Sequence, residues 1–570
     1  MKKLIPLLLV LILALSLFAG CGTYSGGETK AATDAPQTRE KTKEGYGSIT
    51  IAATEPNTLN LLTSQSNLDK DIFYLTSVML YRPYGDQVNP EMVTNVERSE
   101  DGKKYTYTLR EANYVDGTPV VAADFVYYLL NSTIAQSSSM TDSFINGKAY
   151  MNGECEASEV GCYAPDDHTL VVELAEDAAD FNPEMYPVYP LKQSYAEEKG
   201  DALGGTAADF LCSGPYILTD WTFGASLTFK KNPDYWNAAE SFQIAEVKLI
   251  HGTDSNAQYN MFTRGEADIL WSINSDLQEK LPDVSTHKMT GALQGLEFNT
   301  TGMYFDGTTF QARDEKVTAL LANKNFRMAL CNALNREALV AAVDPSGEAA
   351  NRYFEIGRSP SGGKFIDEYP INTAPKTGDE ALAKEYLAKA MEELGYKDVS
   401  ELPTVQYLTF ENANFKLMGE TIQSEWKRVL GLTNIELKLK PIQDAIMSMV
   451  YMDYDIYYQA TGVTPDNLLM YMKYWKTGGP MSDVMQAGAP FSSIYSNADF
   501  DAVVTAASSE FDEAARNKLI AQAEEIFMND YIFIPIMNQG NYTAVSSRVK
   551  GFVVANALEG IMLDQAYIAD

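Results

Sequence analysis

Apolar and polar residues follow two different spacings along this chain, and the two spacings predict a mixture of strands and helices. Strict alternation is typical of a half-buried strand, whereas apolar residues three or four positions apart are typical of a helix. Alternation predicts strands at 48–53, 104–110, 169–174, 246–250 and 434–439, with two more within 213–236. Helical spacing predicts helices at 123–130, 256–264, 325–343, 380–394, 443–452 and 514–528. Because the two types mix without strict alternation or internal repeat, we expect an α/β fold with more than one lobe.

The first 21 residues have the arrangement of a secretion signal. Lys2 and Lys3 precede an apolar stretch at 4–18, which is followed by the small residues 19–20 and then Cys21. This pattern predicts a signal peptide over residues 1–20. Cys21 after Ala-Gly is similar to the lipobox of bacterial lipoproteins, and that resemblance implies that its thiol is lipidated. An uncleaved anchor helix is the alternative, since the stretch is near the lower length limit for spanning a bilayer.

Residues 21–47 are predicted to be the lipidated cysteine and a flexible linker. The stretch from Gly22 onward is polar and has only two aromatic residues, so it buries too little apolar surface to fold. A flexible linker of this length has a reach of about 25–30 Å. We therefore expect a folded head outside the cytoplasm, tethered to the cell membrane.

Charge narrows the choice of partners. With 45% hydrophobic and 21% charged residues, the chain of 570 residues has an ordinary globular composition. Its formal net charge, however, is −33. A surface this acidic repels nucleic-acid backbones and anionic lipid headgroups, so we expect no nucleic-acid partner. Attachment to the membrane then depends on the lipid at Cys21.

No catalytic or metal-binding motif is recognisable. The three histidines, His168, His251 and His287, each stand alone in their segments. No zinc-protease, P-loop or serine-hydrolase motif occurs. We therefore expect no cofactor, no metal site and no enzymatic activity.

The cysteines beyond Cys21 suggest structural roles. Cys155 and Cys162 lie seven positions apart in a compartment that permits disulfides, so a local bridge and free thiols both remain open. Cys212 and Cys331 are expected to be small buried apolar residues.

Three blocks of sequence, in this order, resemble the family 5 extracellular solute-binding proteins, the oligopeptide- and dipeptide-binding components of bacterial ABC importers. The blocks cover residues 101–125, 213–236 and 325–340. We expect them to serve folding, with Trp221 and Trp236 as core anchors, rather than to contact a ligand.

The resemblance implies a two-lobed clamshell like that of periplasmic binding proteins, of type II and similar to cluster C, with an extra inserted α/β domain. Lobe I is expected at 48–68, 204–291 and 532–570. The inserted domain II is expected at 69–203, and lobe III at 292–531. We expect a monomer, because closure of one clamshell needs no second subunit.

In the peptide-binding members, the ligand lies extended in the cleft between the lobes and pairs its backbone with protein strands, an enclosed form of β-augmentation. The resemblance implies that such a receptor passes its peptide to the permease of an ABC transporter. Residues that we predict to bind ligand lie at a strand edge, in a turn and in the cleft-lining segment after a Tyr-Asp-Ile strand. They are Glu55, Asn412, Asn414, Tyr458, Thr461, Gly462, Val463, Thr464 and Asp466. At Glu55 the backbone is expected to matter more than the carboxylate.

The sequence departs from the family's peptide-binding pattern at one place. Thr461 stands where those members carry Trp, and Thr464 where they carry the Asp that meets the peptide's amino group. A short shift of the alignment gives that role to Asp466, and a solvated loop acid is the alternative. Asn412 and Asn414 are equally explained as turn residues.

Two other functions therefore stay open. A non-peptide solute, such as an oligosaccharide or a metal chelate, fits the missing anchor residues, and a tyrosine-rich cleft would suit a sugar. A peptide sensor would use the same pocket as a transport receptor, so the sequence does not separate the two.

Overall fold

The computed structural model describes residues 47–569 apart from a set of short gaps. These gaps are 65, 86, 138–139, 176–177, 179–180, 183, 253, 274, 282, 358–362, 463–466, 478–494 and 555–559. The described chain divides into two compact units. We call residues 47–288 together with 541–569 the N-terminal unit, and residues 289–540 the central unit.

Strands and helices are numbered along the described chain. The strands are β1 (Ser48–Ala53), β2 (Tyr81–Tyr84), β3 (Gln87–Pro90), β4 (Val93–Arg98), β5 (Lys104–Leu109), β6 (Cys162–Asp166), β7 (Thr169–Glu173), β8 (Tyr216–Thr222), β9 (Ser226–Lys231), β10 (Glu246–His251), β11 (Ile269–Ile273), β12 (Ser285–Phe298), β13 (Met303–Phe305), β14 (Phe310–Ala312), β15 (Glu348–Ala349), β16 (Val405–Phe410), β17 (Ile435–Lys440), β18 (Ile456–Gly462), β19 (Phe533–Val545), β20 (Val549–Lys550) and β21 (Tyr567–Ile568). The α-helices are α1 (Asn67–Thr76), α2 (Ala122–Asn131), α3 (Thr133–Ser137), α4 (Gly147–Met151), α5 (Gln193–Lys199), α6 (Ser255–Thr263), α7 (Ser275–Gln278), α8 (Glu315–Ala322), α9 (Lys324–Asn332), α10 (Arg336–Val343), α11 (Phe365–Glu368), α12 (Glu380–Leu394), α13 (Ala413–Leu430), α14 (Ile442–Val450), α15 (Leu468–Trp475), α16 (Ala498–Ser508) and α17 (Glu513–Asp530).

The main sheet of the N-terminal unit is built around β1. Residues 541–545 of β19 and the strands β11, β1, β10, β9 and β8 follow one another in that order. β1 is parallel to both of its neighbours, and its last residue, Ala53, pairs with His251 of β10. The carboxyl ends of β1, β10 and β11 therefore meet at one edge of this sheet. Edges of this kind commonly carry ligands in α/β folds.

A second, antiparallel sheet of this unit has the order β4–β5–β7–β6. Tyr105, Tyr107 and Leu109 alternate inward along β5 and are buried, which explains why the sequence pattern at 104–110 predicted this strand. The sheet lies inside the stretch 69–203 but belongs to the same compact unit as β1. The division of this unit into a lobe and an inserted domain remains a prediction.

The central unit contains the strand order β17–β16–β18–β12, followed by residues 533–540 of β19. β16 is parallel to β17 and β18, whereas β12 runs antiparallel to β18. Helix α13 packs on this sheet through Trp426, which is fully buried and donates its indole N–H to the Leu330 carbonyl (3.0 Å). The core of the unit thus joins residues that lie about a hundred positions apart in sequence.

The helix predictions agree with the structure where caps mark both ends. The predicted helix at 380–394 is confirmed, with Asp379 capping its start and Gly395 at φ 78° ending it. The segment predicted to be helical over 325–343 is also confirmed as helical, but it is divided into α9 and α10. Asn335 between them accepts a hydrogen bond from the Ala338 N–H and starts a new helix.

Two side-chain predictions need correction, and one open alternative is decided. Trp236 is not a core anchor, since it is 37% exposed with the Arg110 guanidinium 3.6 Å from its ring centre. Trp221 is only half-buried. Of the two alternatives for Cys155 and Cys162, the structure has the free thiols: Cys162 is buried in the core of the unit, and the Cys155 sulfur lies 3.7 Å from the Asn146 carbonyl oxygen.

Candidate functional site

Three of the predicted ligand-binding residues of the central unit, Tyr458, Thr461 and Gly462, lie on β18. This strand pairs with β12 so that Leu293 lies opposite Thr461 and Ala292 opposite Gly462. Thr461 and Gly462 are half-buried at the end of the strand. Val463, Thr464 and Asp466, which follow, lie outside the described residues.

Tyr458 has a different position from the one expected. Its side chain is completely buried in the core of the central unit, and its hydroxyl donates to the Gln294 carboxamide oxygen (2.5 Å). The Phe415 ring lies 5.4 Å away from it, centre to centre. This placement argues against direct ligand contact by Tyr458 and gives it a packing role.

Thr461 belongs to a buried polar group that also includes two aromatic side chains. The Tyr353 hydroxyl accepts the indole N–H of Trp475 at 3.2 Å, and Thr461 is a second polar neighbour of this hydroxyl. Burial is the main cause of a raised Tyr353 pKa, so this phenol stays neutral at physiological pH. Tyr353 therefore lies between the end of β18 and Trp475 of α15, and its hydroxyl is hydrogen-bonded to the latter.

A buried acid on β12 was missed by the sequence analysis. Glu297 is fully buried and accepts hydrogen bonds from the Tyr454 hydroxyl and the Gln459 side-chain amide. Burial raises the pKa of Glu297 to about 7, and these two hydrogen bonds oppose that rise. The available signal was one acidic residue inside an otherwise uncharged stretch at 289–298.

The asparagines at the start of α13 have a local function. The Asn412 side-chain oxygen accepts hydrogen bonds from the backbone N–H groups of Asn414 (3.0 Å) and Phe415 (3.3 Å). Asn412 is thus the N-cap of α13, and Asn414 is a half-buried residue of its first turn. The turn interpretation accounts for Asn412, and no ligand is needed to explain it.

In the N-terminal unit, Glu55 lies just beyond the carboxyl end of β1. Its carboxylate accepts a hydrogen bond from the Gly224 N–H (2.8 Å) and another from the Trp221 indole N–H (3.2 Å). We predicted that the backbone of Glu55 matters more than its carboxylate. The structure gives the carboxylate a defined role of its own, because it holds the turn between β8 and β9.

The tip of that turn carries a residue that we did not single out. Phe223 is 80% exposed and its ring stacks on Trp221 at 6.3 Å between ring centres. The sequence signal was Phe-Gly between two predicted strands, since a residue beside a turn glycine is commonly exposed.

The described residues contain neither a metal-binding cluster nor a membrane-spanning helix. No three side chains of His, Cys, Asp or Glu there are grouped closely enough to hold a metal ion. No helix in that part of the chain combines the length and apolar character needed to cross a membrane.

Comparison with known proteins identifies relatives over almost the full length. The chain is 27% identical to the dipeptide-binding protein DppE of Bacillus subtilis over 477 residues, 81% of each chain. It is 26% identical to the oligopeptide-binding protein OppA of the same species over 569 residues, 97% of each chain.

Solved structures give the fold. The substrate-binding domain of an oligopeptide ABC transporter from Bacillus anthracis matches with a TM-score of 0.68 and 23% identity, covering 91% of this chain and 99% of that one. Listeria monocytogenes OppA bound to peptide matches with a TM-score of 0.68 and 20% identity, covering 92% and 100%. The predicted α/β fold of the binding-protein type is confirmed.

The family comparison agrees with the resemblance seen in the sequence. The model of the bacterial extracellular solute-binding proteins, family 5, matches residues 87–483, which is more than half of the chain. The chain therefore belongs to the family 5 extracellular solute-binding proteins of bacteria.

Proposed function

We propose that this protein is a lipid-anchored extracytoplasmic receptor that captures short peptides and delivers them to an ABC permease. The observation that carries the proposal is the match, over 97% of both chains, to a relative named as an oligopeptide-binding protein. A dipeptide-binding relative and a structure with bound peptide support the same ligand class.

The positions of the candidate residues support a ligand that binds through its backbone. Glu55 follows β1 in the N-terminal unit, and Thr461 and Gly462 end β18 in the central unit. Extended backbone with a free edge can pair with a peptide main chain without reading its side chains. Such pairing suits a receptor for peptides of varied sequence.

A non-peptide solute is the second candidate, and one observation favours it. Thr461 replaces the Trp of the peptide-binding pattern and is a polar neighbour of the Tyr353 hydroxyl. A hydroxyl pair beside aromatic rings is also suited to a sugar.

Native mass spectrometry of the freshly purified head, residues 48–570, tests the two candidates. Co-purified ligands are expected to give a series of masses that differ by amino-acid residues. A single sugar or metal-chelate mass would reject the peptide proposal and establish the second candidate.

The amino group of the peptide is proposed to pair with Asp466. Asp466→Asn should then weaken binding by about 2–5 kcal/mol, as expected when a buried charge pair is broken. Titration calorimetry with free and N-acetylated copies of one peptide provides the control. Equal affinity of the wild type for both copies would exclude this role.

Anchoring is proposed to depend on lipid at Cys21, after cleavage of the signal peptide. Cys21→Ser should release the head or leave an uncleaved precursor, as detected by metabolic labelling with a fatty acid. Unchanged labelling of the variant would refute the lipoprotein assignment.

A further inference from the structure

Phe223 differs from every other large apolar side chain in the described part of the chain. It is 80% exposed, whereas the other exposed ones reach at most 42%. Burying a phenylalanine stabilises a fold, and this ring contributes almost nothing in that way. The residue therefore has no packing role that would explain an aromatic side chain at this position.

The turn that carries Phe223 is rigidly built. The Ala225 N–H donates to the Thr222 carbonyl (3.0 Å), and Gly224 has φ 72°, which makes this a type II turn with Phe223 at its second position. A Cβ at Gly224 would meet no neighbour, so the glycine is required by its backbone angle and not by space.

Two further contacts hold the tip in place. The Glu55 carboxylate binds the Gly224 N–H and the Trp221 indole N–H, and hydrogen bonds to an ionised carboxylate are stronger than neutral ones. The Trp221 ring then supports the Phe223 ring, with 29° between their planes. The exposed ring thus rests on Trp221, which Glu55 holds in turn.

The tip lies at the sheet edge where β1 and β10 end. The His251 N–H donates to the Ala225 carbonyl (2.8 Å), and His251 pairs with Ala53 at the end of β1. The Nδ1 atom of His251 is buried without a hydrogen-bond partner among the described residues. Buried polar atoms usually have a partner, so this edge combines an exposed ring with an unsatisfied polar atom.

We propose that Phe223, supported by Trp221, is a specificity-determining contact that receives an apolar side chain of the bound peptide. The inference rests on the proposed function and adds to it a preference for peptides with an aromatic or large aliphatic residue. No residue from Trp221 to Ser226 is charged, which suits an apolar guest.

The test compares Ala-Ala-Ala-Ala with the four variants that carry one Phe, measured by titration calorimetry on the ligand-freed head. The wild type should bind at least one of the four Phe-containing peptides more tightly than it binds Ala-Ala-Ala-Ala. Phe223→Ala should weaken that peptide about 3- to 10-fold, the range of aromatic contacts, and should change the parent peptide less than about 2-fold. Phe223→Trp should keep the preference.

Tyr163→Ala is the matched control, because Tyr163 is an exposed aromatic residue of the same unit on β6. It should leave all five affinities unchanged. A Phe223→Ala variant that keeps the full preference, or loses all peptides equally, overturns the inference while the peptide receptor stands. If the wild type binds none of the peptides and the purified head releases no peptide, the proposed function fails and the inference fails with it.

Discussion

Glu91 of the N-terminal unit and Glu297 of the central unit are both buried, but their surroundings differ. Glu91 of the N-terminal unit is 2% exposed and accepts hydrogen bonds from the Arg82 guanidinium (2.9 Å) and the Tyr235 hydroxyl (2.6 Å). Glu297 of the central unit accepts hydrogen bonds only from neutral groups, the Tyr454 hydroxyl and the Gln459 amide, among the described residues. Glu91 is therefore half of a fixed ion pair, whereas Glu297 can gain or lose a proton near neutral pH.

The largest expected effect comes from breaking the ion pair. Arg82→Met leaves the Glu91 charge buried without its cation, and such changes destabilise by about 3–5 kcal/mol. The two main-chain carbonyls that Arg82 also binds, of Tyr74 and Ser77, lose their donor as well. Urea unfolding followed by tryptophan fluorescence measures the loss.

Arg428→Met is the matched control, because it removes an exposed arginine that pairs with Glu380 and Glu425. Its urea midpoint should stay close to that of the wild type, since exposed ion pairs contribute little. Equal losses in both variants would contradict the contrast between a buried and an exposed pair.

The next effect is a pH dependence carried by Glu297. Its pKa rises from 4.5 to about 7 on folding, so the folded state favours the protonated acid. The contribution of Glu297 to the free energy of unfolding is therefore complete below pH 4.5 and is lost as the pH rises through 7. For a shift of that size, the free energy of unfolding should drop by about 2 kcal/mol more between pH 5.5 and 8 in the wild type than in Glu297→Gln.

Urea unfolding at the two pH values gives this difference. Glu436→Gln, an exposed glutamate on β17 of the same unit, serves as the control and should keep the wild-type pH dependence. An unchanged pH dependence in Glu297→Gln would show that the acid keeps its unfolded-state pKa.

The smallest effect concerns Glu55, a third glutamate that is only half-buried. Removing its hydrogen bonds in Glu55→Ala should destabilise the β8–β9 turn by about 1 kcal/mol, the usual contribution of such bonds. Because this opening is local, hydrogen exchange of the Gly224 amide should accelerate about fivefold, with Glu55→Gln in between. If the amide exchanges at the wild-type rate in Glu55→Ala, the carboxylate does not hold the turn.

Much of the fold was predictable because its signals are local. Asp379 and Gly395 mark both ends of α12, and the alternation in β5 marks its buried face. The candidate site was less predictable. Asn412 has the same sequence signature as a turn residue and as a helix cap, and the burial of Tyr458 depends on Gln294, a partner 164 positions away.

Glu297 and Phe223 show the two remaining causes of error. The partners of Glu297 are 157 and 162 positions away, so no local pattern reports them. Phe223 follows the strand pattern of β8, and only the position of Gly224 indicates that its ring leaves the sheet. The resemblance to the family, which rests on the order of three sequence blocks, predicted the fold but not these contacts.

The last residues of the chain complete the unit that the first ones begin. The Tyr74 hydroxyl donates to Asp564 (2.6 Å), the Gly560 N–H donates to Asp71 (2.7 Å), and β19 pairs with β11. During vectorial synthesis, residues 289–540 emerge with all of their own core, whereas the N-terminal unit waits for its final segment. The unit whose first strand is made early thus completes its core only after residues 541–569 have been made.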